Sequence, residues 1–269
     1  MEAGPLPAAV AEALRAFDFP VALAIVDADG STRAGGNTQS IYPWMSVTKL
    51  LTARIVLEAV DAGKLDLDDE VDEGVTVEET LAHAGGLGPD GERICAPRTR
   101  RIYSNAGYER LGEAASSVLG RPIADLLTGY MVELGALVDY TTSPAWGLSG
   151  DLSSLARLTR ELAWPTRIDR GLDAVATRPA WPGLPGVLPG YGRHDDNLWG
   201  LGPEIKGEKR PHWMGVDQSA SAFGHFGQSG SFVWIDRSIG RAACFLGAEP
   251  FGETHRRLWP GLNGLVAEC

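Results

Sequence analysis

Ser46-Val47-Thr48-Lys49 sets a hydroxyl and an amine three residues apart, which puts both side chains on one face of a helix. At a helix start the backbone favours developing negative charge, and burial lowers a lysine's pKa toward that of a usable base. The chemistry this spacing offers is nucleophilic acyl transfer, with the serine activated by a neutral amine. The tetrad alone is a weak signal. With four lysines, each having about a 6% chance of a serine three places earlier, it arises by accident about one time in five.

Tyr103-Ser104-Asn105 adds a phenol that can relay protons beside a lysine, and an amide that both donates and accepts. Y-x-N turns up by chance in roughly one chain in ten, and its plain reading is a turn before a capped helix. His225-Phe226-Gly227 falls at the edge of a predicted strand, but H-x-G also occurs at His83-Ala84-Gly85. Order is what carries weight. S-x-x-K, then Y-x-N, then a basic residue-x-Gly near the end arises by accident in well under about one chain in a hundred.

Other motifs lead nowhere. Gly86-Leu87-Gly88-Pro89-Asp90-Gly91 fits G-x-G-x-x-G, yet no strand or helix frames it and Asp90 repels phosphate, so it is read as a loop. His194-Asp195-Asp196 is read as a solvated turn. Neither G-x-S-x-G nor H-E-x-x-H occurs.

The elements that must hold these groups follow from the apolar pattern. A short helix is expected over residues 6–17, a buried strand over Pro20 to Asp27, and a hairpin return over Ser31 to Gly35. Ser46 to Ala62 reads as a helix apolar on nearly every side, the pattern of an element buried mid-domain. Thr76 opens a capping box, and helices are expected near 106–119, 122–135 and 151–163. Four prolines between 179 and 189 mark an irregular segment. Strands follow at Asn197 to Ile205, Ser231 to Asp236 and Arg241 to Gly247, then a helix from Gly252. This order predicts an α+β fold: an antiparallel sheet flanked by helices, built from residues 1–45 and 196–269. A mostly helical region, 46–195, is inserted into it. Strict strand–helix alternation is absent, which argues against a parallel doubly wound sheet.

Composition narrows the function. Of 269 residues, 24 are basic and 35 acidic, a net charge of −11 that disfavours nucleic acid. Cys95, Cys244 and Cys269 form no disulfide or metal pattern. No basic residue precedes Arg15 and no apolar run reaches spanning length, so a cytoplasmic protein without membrane partners is expected.

Over roughly residues 20–250 the chain resembles the serine β-lactamase and penicillin-binding-protein superfamily, in particular its class C β-lactamase-like branch. SVTKLLTARIVLEAVDAGKLDLDDEV is similar to the family's nucleophile helix, and LAHAGGL to its L-x-H-T-S-G-L segment. YSNAGYERLGEAASSVLGRP resembles the second motif, and WGLG and GHFGQSGS the late strands. The resemblance implies Ser46 as nucleophile and Lys49 with Tyr103 as the general-base pair, Tyr103 returning the proton to the leaving group. It implies Asn105 as the holder of the acyl group, and His225 where many relatives have Lys or His. The backbone N–H groups of Ser46 and Gln228, just after Gly227, would form the oxyanion hole. No metal or organic cofactor is implied.

Three departures stand out. His83 and Tyr103 are only 20 residues apart, Ala84-Gly85 replaces a Thr-Ser pair, and Phe226 replaces a hydroxyl residue. Phe226 and Trp44 are expected to wall the site with apolar surface. The expected function is a serine hydrolase that forms an acyl-enzyme from small-molecule carboxylic esters or amides. The alternatives are a true β-lactamase or D,D-peptidase, an acyltransferase to a small-molecule acceptor, and a catalytically silent binding protein. The sequence does not indicate an oligomeric state.

Overall fold

Apolar runs in the N-terminal third fold as the sequence pattern predicts, and the computed structural model describes residues 3–269. Strand β1 (Gly4–Pro5) and helix α1 (Ala8–Leu14) lead to β2 (Val21–Asp27) and β3 (Thr32–Gly36). The β2–β3 turn uses Gly30 at φ +93°, open to glycine without penalty. After β4 (Tyr42–Pro43) comes a 3₁₀ turn, Met45–Val47, and then α2 (Thr48–Asp61). The predicted helix start at Ser46 is therefore a tighter turn, forced by Met45 at φ +46°.

Strands β5 (Glu70–Asp72) and β6 (Val75–Thr76) precede α3 (Val77–Leu81). Its capping box is complete, with Glu79 N donating to Thr76 Oγ1 at 3.2 Å and Thr76 N to Glu79 Oε2 at 3.1 Å. Helices α4 (Asn105–Leu119) and α5 (Ile123–Glu133), strands β7 (Asp139–Tyr140) and β8 (Leu148–Gly150), and helix α6 (Leu152–Ala163) follow. Besides the short strands β1 and β4 to β8, the sequence pattern does not mark α7 (Arg170–Ala176) or a hairpin of β9 (Gly186–Leu188) with β10 (Gly192–His194). The chain closes with β11 (Glu204–Ile205), β12 (Phe223–Gly227), β13 (Ser231–Asp236), β14 (Arg241–Gly247) and α8 (Glu253–Glu268). The strand expected from Asn197 shrinks to Glu204–Ile205, because Pro203 has no N–H for a ladder and Gly202 sits at φ +118°.

The main sheet runs β1-β3-β2-β14-β13-β12-β11, antiparallel except for the β1–β3 pair. Its strands come from residues 4–36 and 204–247, so the fold is α+β with the sheet built from both ends of the chain. Alternation along β2 explains its unbroken apolar run. Leu23 and Ile25 pack with α1, α8 and the rings of Phe232, Phe245 and Trp259, while Ala24 and Val26 pack with α2 and α6. Helix α2 is buried along nearly its whole length, Lys49 included, as its all-round apolar pattern demands. Among the described residues no helix is long and apolar enough to cross a membrane.

Candidate active site

The 3₁₀ turn that carries Ser46 is anchored from below. Trp44 N donates to Leu148 O at 2.8 Å, Trp44 Nε1 to Gly150 O at 3.4 Å, and Ser231 Oγ to Trp44 O at 2.8 Å. These bonds hold Met45 in its left-handed conformation, a strained state of the kind that clusters at active sites. Strand β12 lies directly against this turn. A Cβ at Gly227 would stand 2.4 Å from Trp44 O and 2.6 Å from Ser231 Oγ, so only glycine permits the approach. Gln228 follows and lines the cleft together with Ser46. The two predicted oxyanion donors thus belong to segments in direct contact.

Tyr103 and Asn105 are positioned by the residue between them. Ser104 caps α4, its Oγ accepting from Gly107 N at 3.0 Å and donating to Gly88 O at 2.7 Å. Ser104 N donates to His83 Nδ1 at 3.2 Å, and the His83 ring packs 4.5 Å from that of Tyr103. The LAHAGGL segment thereby serves as the floor of the Y-x-N turn.

Lys49 is fully buried. Its Nζ donates to Asn105 Oδ1 at 2.7 Å and to Ala145 O at 2.9 Å, and sits 4.7 Å from the centre of the Tyr103 ring. A neutral amine has two N–H bonds and one lone pair. Both N–H bonds are accounted for by these acceptors, which leaves the lone pair free to take a proton. Burial lowers the Lys49 pKa to about 7 against the opposing field of Glu109, so a large neutral fraction exists near neutrality.

Burial pushes the Tyr103 phenol up, with the facing Ser46 hydroxyl opposing part of the shift. The phenol that the sequence reading takes as a proton relay beside a lysine is not driven to titrate low: burial raises its pKa, and it keeps its proton. His225 Nδ1 donates to Phe226 O at 2.7 Å, so its Nε2 accepts from Tyr103 OH at 3.4 Å. Burial first, then the Lys49 charge, brings His225 down to about 3, leaving it a neutral acceptor. Of the three buried groups, Lys49 alone has a pKa suited to a base at neutral pH.

These side chains open onto a cleft of about 390 Å³ walled by Trp146, Leu188, Pro189, Trp199 and Phe226. The structure brings together Ser46, Tyr103, Asn105, His225, Phe226 and Gln228 on its lining, with Lys49 and Gly227 immediately behind. Two expectations change. The Trp44 indole lies in the core against Gly150 rather than in the cleft, because the 3₁₀ turn swings it inward. Phe226 reaches the cleft but lies mostly on the far face of β12, in a cluster with Tyr191, Trp213, Phe251 and Trp259. Strand alternation sends it there, since its neighbour His225 faces Tyr103.

Glu204, which the sequence reading does not single out, also lines the cleft. Its Oε1 accepts from Lys209 Nζ and His212 Nε2, both at 2.8 Å, and its Oε2 from Trp213 Nε1 at 2.7 Å. Burial pushes this carboxyl up, but Lys209 and His212 more than reverse that and hold it below the usual carboxylate range. With its donors so committed, this cluster stiffens the wall formed by β11. No sequence periodicity links Glu204 to residues five and eight places on through a loop.

The arrangement can attack an acyl carbon, hold an oxyanion and return a proton. Residues 11–135 match the β-lactamase family model. The structure of a β-lactamase from Mycobacterium bovis is similar at TM-score 0.92 and 36% identity, over 96% of this chain and 98% of that one. A penicillin-binding-protein homologue from Caulobacter crescentus shares the fold at TM-score 0.75 and 18% identity, covering 99% of both chains. A mutant simvastatin synthase from Aspergillus terreus does so at TM-score 0.76 and 14% identity, over 96% of this chain and 92% of that one. No curated protein matches the chain.

Proposed function

Because the chain belongs to the β-lactamase family of serine hydrolases, we propose that it cleaves small, uncharged carboxylic esters or amides through an acyl-enzyme on Ser46. The observation that carries this reading is a buried lysine with a pKa of about 7, its N–H bonds satisfied, one helical turn from a cleft-lining serine. Lys49 takes the Ser46 proton as Oγ bonds to the carbonyl carbon. The oxyanion is met by the N–H groups of Ser46 and Gln228. Collapse breaks the bond to the leaving oxygen or nitrogen, which takes a proton through the Tyr103 hydroxyl from the Lys49 ammonium. Water then attacks the acyl-enzyme by the same route in reverse, releasing the acid and restoring Ser46. Asn105 does double duty, its carbonyl oxygen on Lys49 and its amide available to the acyl group.

The cleft walls argue for an apolar acyl group. Trp146, Trp199, Leu188 and Pro189 line them, and no arginine does. A charge-assisted hydrogen bond to a substrate carboxylate is worth about 1.5–3 kcal/mol, so its lack costs about 10- to 150-fold. A second reading, β-lactam hydrolysis, is favoured by the 36% identity to the Mycobacterium bovis β-lactamase.

Kinetics separate the two. A short-chain nitrophenyl ester is expected to exceed a chromogenic cephalosporin in kcat/KM by at least about tenfold. Each added acyl methylene should raise kcat/KM by up to about fourfold until the cleft is filled. A preference for the cephalosporin would establish the second reading instead. Trp146→Ala is a better probe of the wall than Phe226→Thr, which would also hollow out the aromatic cluster and cost roughly 3–5 kcal/mol of stability.

A further inference from the structure

We propose that Glu109, which belongs to none of the motifs, is a positioning residue for Lys49: it tethers the turn that supplies the amine's second acceptor and brings a carboxylate within range of its charge. This role rests on the reading of Lys49 as the base. Glu109 lies one helical turn beyond Asn105 on α4, so both side chains project from the same face. Its Oε1 accepts from Ser143 Oγ, and that hydroxyl oxygen accepts from Ala145 N at 3.0 Å. Ala145 O then accepts from Lys49 Nζ at 2.9 Å. One face of α4 therefore governs both acceptors of the amine, Asn105 directly and Ala145 through Ser143 and Glu109.

The turn over residues 143–147 is built to be held closely. Thr52 Oγ1 donates to Pro144 O at 2.6 Å, and Gly147 N to Ser143 O at 2.7 Å. A Cβ at Gly112 would stand 2.8 Å from Pro144 Cγ, so glycine there lets α4 come near enough for Glu109 to reach Ser143. Trp146 follows Ala145 and walls the cleft, so the same tether bears on the acyl wall as well as on the base.

Charge gives the tether a second effect. Lys49 is also faced by Tyr103 and Tyr108 and by His83 and His225. Burial raises both phenols and lowers both imidazoles, so all four are neutral near pH 7. Among the described residues Glu109 is the carboxylate whose field reaches the amine. Its other side meets a groove lined by Glu113, Arg121 and Tyr140, where water solvates the carboxylate. An opposite charge favours the ammonium, so Glu109 keeps the amine from falling as far as burial alone would take it. Removing that charge therefore moves the Lys49 midpoint, and the acid limb with it, to lower pH.

The chain has only four lysines, so protein labelled with ¹³C at lysine Cε gives four signals, and Lys49→Met identifies the one from Lys49. Glu109→Gln keeps an oxygen acceptor for Ser143 and removes the charge. At about pH 6 its neutral Lys49 fraction should be at least about twofold that of the wild type, and the acid limb of ester kcat/KM should move the same way. The tether is read by a double-mutant cycle on kcat/KM above the limb. Glu109→Ala and Ser143→Ala should each lower it about three- to tenfold, the double variant no further than either, and Glu109→Gln should recover most of the loss. A Lys49 midpoint unmoved in Glu109→Gln, or losses that multiply in the double variant, overturns the role. The titration needs no substrate. A midpoint that shifts in a protein cleaving no ester would uphold Glu109's hold on Lys49 and fail the hydrolase reading alone.

Discussion

Ser46→Ala should lower ester turnover by roughly 10⁴- to 10⁶-fold while the protein remains folded. The serine sits on a turn whose bonds run through its neighbours: Trp44 holds the backbone, and Ser231 Oγ bonds to the Trp44 carbonyl. Removing one half-buried hydroxyl leaves these bonds intact, so the thermal midpoint should shift by no more than a few degrees. The other serines near the site are occupied. Ser229 Oγ bonds to Ser231 Oγ at 3.0 Å, and Ser104 Oγ is the α4 cap. Retention of most activity by Ser46→Ala on a nitrophenyl ester would remove the S-x-x-K assignment and bring Ser229 forward.

Lys49→Met should fall close to the same floor, because members of one catalytic unit are strongly non-additive. The accompanying pH dependence makes the result specific to a base. In the wild type the ammonium below about pH 7 cannot accept the Ser46 proton, while the neutral amine above it can. Activity should therefore rise with pH through a limb near 7 and level off above it, falling about tenfold per unit on the acid side. The residual activity of Lys49→Met should lack that limb. The variant also leaves Asn105 Oδ1 and Ala145 O without their buried donor, a loss of roughly 1–3 kcal/mol each, partly offset because no amine is buried. Stability and activity should thus be measured together. A limb near 7 that survives in Lys49→Met would assign the titration to another group, and a flat wild-type profile from about pH 6 to 9 would count against Lys49, provided chemistry limits the rate.

The motifs of the candidate site were legible because their local structure is encoded close by. Ser104 caps α4 whatever surrounds it, and so fixes Tyr103 and Asn105 on either side. The apolar run of α2 announces burial, and with it the depressed Lys49. The inward turn of Trp44 was not legible, since it depends on Met45 taking a left-handed conformation that contacts with β8 and β13 impose. The side taken by Phe226 follows from strand alternation, but its aromatic partners come from the β10 region and from α8, far apart in sequence. Glu204 and its donors, and the β9–β10 hairpin hidden among prolines, rest on loop geometry that no periodicity records. The pattern thus pointed to residues that the structure gathers at one cleft, while the walls of that cleft came from long-range packing.

Covalent capture of the nucleophile is the most direct check on an acyl-enzyme at Ser46. Wild-type protein treated with a fluorophosphonate, followed by intact-mass measurement and peptide mapping, should carry one adduct on the peptide containing Ser46. Ser46→Ala should carry none, and labelling of the wild type should slow as the pH drops below about 7, where Lys49 holds its proton. A stoichiometric adduct on any other residue, or an unlabelled wild type that is fully folded, would contradict it.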